Sequence, residues 1–138
     1  MTSPTLLIPA RLGELRHAAA WLAQAAQAGG VPAEATARLD ICLHEALANL
    51  IDHAGLAADS EIGLTLDVQD AGATLTVVDA GLPFDPTLAP APARPLTLDA
   101  TVPGGLGLVM LRSNSDTLQY SRDDGRNSLG IGVRWTWA

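Results

Sequence analysis

Leu129, Ile131, Val133, Trp135 and Trp137 stand at every second position near the C-terminus, with small or polar residues between them. Successive side chains leave a strand on opposite sides, so this segment predicts a strand with one apolar face. Such a face is stable only when a second layer covers it. The same period returns in Ile62, Leu64, Leu66 and Val68, with Glu61, Gly63, Thr65 and Asp67 on the other side. The cover must come from helices, and two long helical patterns precede the sheet. In residues 11–28, Leu12, Leu15, Ala19, Leu22 and Ala26 recur at helical spacing, and Gly29-Gly30 end the run. A second helix is predicted from near Pro32, a residue tolerated in a first turn, to about Ala54, with Gly55 where a left-handed cap belongs. At about 100° per residue its Leu39, Leu43, Ala46, Leu47, Leu50 and Ala54 share one broad arc, which should face the sheet. The fold class expected is α+β: a two-layer sandwich, with helices packed on one face of a mixed, mainly antiparallel sheet.

Shorter elements complete this frame. Residues 5–8 form an apolar run stopped by Pro9 and predict an edge strand. Gln69-Asp70-Ala71-Gly72 predicts a turn into a return strand at residues 73–78. Residues 104–112 read as a glycine-rich turn feeding a short helix, and residues 117–122 and 128–137 as a hairpin across Asp123-Asp124-Gly125. Residues 79–86 are a loop rich in Gly and Pro. Residues 87–103 carry Pro90, Pro92, Pro95 and Pro103, too many for a regular element. A stretch of this kind inside a compact domain serves as a lid or binding loop, or is disordered. With 138 residues, 48% of them hydrophobic, and no repeat, one domain over residues 1–138 is expected.

The net charge of -7 argues against nucleic acid, which requires clustered Lys and Arg; the 8 basic residues here are scattered. No stretch is long and apolar enough to span a bilayer, and the first residues lack the basic start and apolar run of a signal peptide. A cytoplasmic protein is expected. Cys42 is the one cysteine, so neither an internal disulfide nor a thiolate zinc cluster is available, and its helical setting predicts a buried, inert thiol.

Three local patterns carry chemistry. On the second helix Arg38, Glu45, Asn49 and Asp52 lie opposite the apolar arc, with Glu45 and Asn49 one helical turn apart. A solvated face is the ordinary explanation. Ile41, Cys42 and Ala48 flank the stripe, however, and Asn is a poor choice for an exposed helix interior, so a partly covered face is expected. Arg38 could steer a partner or simply pair with Glu45. Next, Asp79-Ala80-Gly81 follows a buried strand: a tight turn by one reading, and by another a carboxylate at a pocket base that accepts from an amine, with Gly81 giving room for a flat ring. Third, Gly104-Gly105-Leu106-Gly107 opens a helix, where backbone N–H groups and the helix dipole favour an anion.

In this order and spacing, Glu45-x-x-x-Asn49, Asp79-x-Gly81 and Gly105-x-Gly107 resemble the N, G1 and G2 boxes of GHKL ATPases. The stretch from His44 to Ala54, HEALANLIDHA, together with Pro83-Phe84-Asp85-Pro86 and Asp124-Gly125-Arg126-Asn127, is similar to the serine kinases that regulate bacterial anti-sigma factors. The resemblance runs from Leu6 to the C-terminus and implies a Bergerat-type ATP-binding fold. It further implies ATP and Mg²⁺ as cofactors, with Asn49 as metal ligand and Glu45 as general base. By the same resemblance Asp79 would accept from the adenine amine beside Gly81. Gly105, Leu106 and Gly107 would line the phosphates, and residues 87–103 would form the ATP lid. A protein serine/threonine kinase in transcription regulation is implied, acting on a hydroxyl of a small STAS-type antagonist. A sigma factor as second partner and a homodimer belong to the same implication. The functional alternative is a nucleotide-binding partner-switching module that transfers no phosphate. Two departures favour it: relatives often carry a basic residue where Leu106 stands, and Arg94 is the single cation of residues 87–103. His53 matches the family's helix ending and is expected to be structural. The ATP-binding half of a histidine kinase is disfavoured, because residues 11–28 offer only His17 and no matching second helix.

Overall fold

The computed structural model describes residues 3–83, 85–87 and 105–136, with the backbone alone for His53, Gly105 and Leu106. Strand β1 (Thr5–Pro9) leads through a 3-10 turn (Leu12–Glu14) into helix α1 (Leu15–Ala28) and helix α2 (Ala33–His53). The hairpin β2 (Glu61–Gln69) and β3 (Gly72–Asp79) follows, then helix α3 (Gly105–Ser113) and the hairpin β4 (Thr117–Asp123) and β5 (Arg126–Arg134). The architecture is α+β, as the periodicities predict.

The five strands run in the order β1-β2-β3-β5-β4. Every pairing among the described residues is antiparallel, which corrects the expectation of a mixed sheet. The reason is topological. With two helices between β1 and β2 the chain reverses three times, an odd number, so β2 returns antiparallel to β1. A single helix, α3, separates β3 from β4, so those two strands are parallel; β5 lies between them and pairs with both.

Ile62, Leu64 and Leu66 of β2, Ala73, Leu75 and Val77 of β3, and Ile131 and Val133 of β5 share the covered face. Against them α2 buries Leu39, Leu43, Ala46 and Leu47, the arc its 3.6-residue period predicts. Full burial of one such leucine contributes about 1.5–3 kcal/mol. Helix α1 behaves differently from expectation. Leu12 lies in the 3-10 turn and is 54% exposed, and the buried positions are Ala18, Leu22, Ala25 and Ala26. The helical register starts only at Leu15, so a stripe extrapolated back to Leu12 overshoots the helix. Trp135 is buried just beyond β5, while Trp137 lies outside the described residues.

Turn chemistry agrees with backbone angles. Gly55, after α2, takes φ +66°, the left-handed conformation glycine adopts without a Cβ penalty. Between β4 and β5, Asp124 and Gly125 both have positive φ, 51° and 74°, the type I′ geometry that matches the twist of a two-residue hairpin.

Candidate functional site

Helix α2 presents Glu45 and Asn49 from consecutive turns, both half-buried. Their cover is α3. The Cys42 thiol is fully buried with Sγ 3.7 Å from the Leu111 carbonyl oxygen. A Cβ placed on Gly107 would stand 2.7 Å from Glu45 Oε2 and 3.6 Å from Asn49 Oδ1. The first turn of α3 therefore lies directly on the Glu45/Asn49 pair, and the glycine of the third motif at position 107 makes room for the carboxylate. Among the described residues, neither Glu45 nor Asn49 makes a hydrogen bond or ion pair. Two half-buried polar side chains with unused capacity are uncommon unless a ligand or solvent completes them.

Asp79 closes β3 on the covered face and is 3% exposed. Its Oδ2 accepts from the Gly81 N–H at 2.8 Å and from Asn127 Nδ2 at 3.2 Å. Among the described residues its Oδ1 accepts nothing. Gly81 has a packing reason beyond room for a ligand: a Cβ there would meet the Ala54 carbonyl oxygen at 2.7 Å and Ala54 Cβ at 2.8 Å. The loop is held at the end of α2, where the Leu82 N–H donates to the same Ala54 oxygen at 2.9 Å.

Sequence reasoning noticed Asn127 only within a resemblance and gave Tyr120 and Arg122 no role. Asn127 is 4% exposed and pairs in register with Asp79. Its Nδ2 donates to the Leu82 carbonyl at 2.9 Å as well as to Asp79, with the Gly81 carbonyl at 3.4 Å. Its Oδ1 accepts from Tyr120 Oη and from Arg122 Nη1, the latter at 2.8 Å. Arg122 Nη1 also lies 3.0 Å from the Gly81 carbonyl. A signal for this network was present. Extending the alternation Val133, Ile131, Leu129 back by two reaches Asn127, and extending Ala73, Leu75, Val77 forward by two reaches Asp79. Two polar residues thus fall on core-facing positions at adjoining strand ends.

Asn49, Leu50, Val77, Asp79, Leu111 and Asn127 border one narrow cleft. Glu45 and Asn49 from the first motif, Asp79 from the second and Gly107 from the third are thereby brought to one region. Gly105 opens α3 and Leu106 follows it, but the Leu106 side chain lies outside the described residues. So do Phe84, residues 88–103 of the expected lid, Arg94 among them, Gly104, and the side chain of His53.

Arg38 does not pair with Glu45. Its Nε lies 3.0 Å from Glu34 Oε1, its Nη1 3.2 Å from Asp116 Oδ2, and its Nη2 donates to the Arg134 carbonyl at 2.6 Å. Asp116 also accepts from the Arg134 N–H at 2.6 Å. That backbone hydrogen bond, assisted by the Arg38 guanidinium, holds the Asp116 carboxyl below the usual carboxylate range. Burial pushes the Cys42 thiol up to about 11, with the Arg38 charge partly opposing and the Glu45 charge adding, so Cys42 is the inert thiol expected. No group of three His, Cys, Asp or Glu among the described residues is placed to hold a metal ion. No helix of the described residues is long and apolar enough to cross a membrane.

Comparison with known proteins agrees with this fold. The family described as "Histidine kinase-like ATPase domain" matches residues 8–132. A Bordetella bronchiseptica relative named serine/threonine-protein kinase BtrW is 37% identical over 94 residues, which cover 67% of this chain and 66% of the relative, just under two thirds of its length. A crystal structure of RsbU and RsbW domains from Mycobacterium tuberculosis superposes with a TM-score of 0.65 at 18% identity, over 95% of this chain and 32% of that one. The histidine kinase domain of a blue-light activated histidine kinase from Erythrobacter litoralis gives a TM-score of 0.55 at 20% identity, over 92% of this chain and 61% of that one. These two share the fold. The family pattern spans residues 8–132, nearly the whole chain: the chain belongs to the histidine kinase-like ATPase domain family.

Proposed function

We propose that this chain is an ATP-dependent protein serine/threonine kinase of the partner-switching type, acting on a hydroxyl of a small STAS-type antagonist protein. The observation that carries the reading is the Glu45/Asn49 pair, half-buried, facing Gly107 and making no hydrogen bond or ion pair among the described residues. Asp79 on the same cleft supplies an acceptor for an amine. The name and 37% identity of the Bordetella relative support the kinase branch.

The residues present suit a magnesium nucleotide. Magnesium takes few protein ligands and leaves phosphates and waters to complete its octahedron, so an amide oxygen such as Asn49 Oδ1 is an adequate anchor where no three-carboxylate cage exists. A bound ion would supply positive charge to offset that of the phosphates. Asn49 would hold it, and the backbone N–H groups of the α3 first turn, at Gly105 and Gly107, would face an anion. Glu45, one helical turn from Asn49, takes the proton of the attacking hydroxyl. A sigma-factor partner, a homodimer and a cytoplasmic location belong to the same reading.

The test is transfer from γ-labelled ATP to STAS-type proteins encoded beside this chain. Label is expected on one serine or threonine, and Glu45→Gln should cut the transfer rate at least about a hundredfold, the low end for removing a general base. Full activity in Glu45→Gln would remove Glu45 as the base.

A second reading, a nucleotide-binding switch without transfer, is favoured by one observation. The described arginines nearest the cleft are committed to backbone carbonyls: Arg112 Nη2 to Pro86 at 2.6 Å, and Arg122 Nη1 to Gly81 at 3.0 Å. Under that reading nucleotide binds, a partner is gripped, and no label moves.

A further inference from the structure

We infer that Asn127 is a specificity residue: by occupying Asp79 Oδ2 it turns a carboxylate that could take two donors into a single acceptor, which selects adenine and rejects guanine. The inference deepens the nucleotide reading of the cleft and rests on it.

The argument is one of hydrogen-bond capacity. A side-chain amide has two donor hydrogens and two acceptor lone pairs. The Asn127 hydrogens are spent on Asp79 Oδ2 and the Leu82 carbonyl, and its oxygen accepts from both Tyr120 Oη and Arg122 Nη1. Those two donors also fix which end of the amide faces Asp79, because a flipped amide would set its hydrogens against the tyrosine hydroxyl and the guanidinium. Nothing of Asn127 is left for a ligand. Asp79 Oδ2 is covered twice, by Asn127 and by the Gly81 N–H at 2.8 Å, which leaves Oδ1 as the carboxylate oxygen that accepts nothing among the described residues.

Adenine brings one exocyclic amine to such an acceptor. Guanine brings adjacent N1–H and N2–H donors, which match a carboxylate only when both oxygens are open, together with a carbonyl that needs a donor. In this cleft one guanine donor and the carbonyl would be buried unpaired, and a buried unsatisfied group is costly. Arg122 and Tyr120, which hold Asn127 in place, act as positioning residues for the same selection.

Calorimetric titration of the full chain with Mg²⁺-ADP and Mg²⁺-GDP tests this, comparing wild type with Asn127→Ala and Asn127→Ser. Ser replaces two amide hydrogens by one on a shorter side chain and guards against an Ala variant that fails to fold. Wild type should bind ADP at least about tenfold more tightly than GDP, which is about 1.4 kcal/mol. Both variants should narrow that ratio at least about threefold by opening Oδ2 to the second guanine donor. A variant that folds, binds ADP and keeps the wild-type ratio would overturn the assignment of Asn127, because a merely structural residue weakens both nucleotides alike. Wild type binding neither nucleotide would instead overturn the underlying reading of the cleft.

Discussion

Gly81 and Gly107 make opposite predictions for the same substitution. At Gly81, an added Cβ meets the Ala54 carbonyl oxygen at 2.7 Å and Ala54 Cβ at 2.8 Å. Both are fixed by the end of α2, so the loop itself must shift, and it would lose the Leu82 N–H bond to the Ala54 oxygen. Overpacking of this kind costs about 1–3 kcal/mol, and the broken hydrogen bond adds about 1 kcal/mol. Gly81→Ala should therefore destabilise by about 2–4 kcal/mol. At Gly107 the near atom is Glu45 Oε2, the far end of a flexible side chain that can rotate away. Replacing a helical glycine by alanine contributes up to about 1 kcal/mol. Gly107→Ala should leave stability unchanged or raised by at most that amount, while displacing Glu45 and lowering phosphotransfer. Urea denaturation of the ligand-free protein reads both variants. Equal destabilisation by the two would refute the reasoning, since it would mean that Gly107 packs against something as rigid as Ala54.

Leu43→Ala removes a fully buried side chain between α2 and the sheet and should cost about 2–5 kcal/mol in the same denaturation assay. The Cys42 thiol should resist labelling by a disulfide reagent until the protein unfolds, and labelling of native protein at mixing speed would contradict its burial. Its folded value is raised from 9.0 to about 11, so the stability it contributes is complete below pH 9 and falls as pH rises toward 11, an alkaline loss that Cys42→Ala should lack. Asp116 shifts the other way: its contribution is present above the ordinary value of 3.8 and is lost as pH falls through the lower folded value. The stability gap between wild type and Asp116→Asn should therefore be small at neutral pH, as suits an exposed ion pair, and should close in acid.

Periodicity made the layers legible. The arc of α2 named Leu39, Leu43, Ala46 and Leu47, all buried, because a helix against a sheet has no other way to hide its apolar face. Asp124-Gly125 marked its turn because few residue pairs tolerate two positive φ values in succession. Strand order was less accessible. Insertion of β5 between β3 and β4 depends on contacts across some fifty residues of sequence, and no local pattern records them. Leu12 misled because the period that marks α1 fits a residue one turn before the helix begins. In the site, Glu45 and Asn49 were readable since one helix sets their spacing. The Asp79–Asn127 contact joins residues 48 positions apart and was visible only as a polar interruption on two apolar faces. The engagement of Arg38 with Asp116 and Arg134, rather than Glu45, likewise follows from the packing of β5 and could not be read from α2 alone.

The most direct test of the nucleotide site is the melting temperature with and without Mg²⁺-ADP, for wild type, Asp79→Asn and Asn49→Ala. Nucleotide at a hundredfold excess over its dissociation constant should stabilise wild type by about 2.7 kcal/mol. Asp79→Asn should show no shift, and Asn49→Ala should show a shift that no longer depends on magnesium. A wild type whose melting temperature is indifferent to Mg²⁺-ADP and Mg²⁺-ATP would contradict the account, and the cleft between α2, α3 and the sheet would not be a nucleotide site.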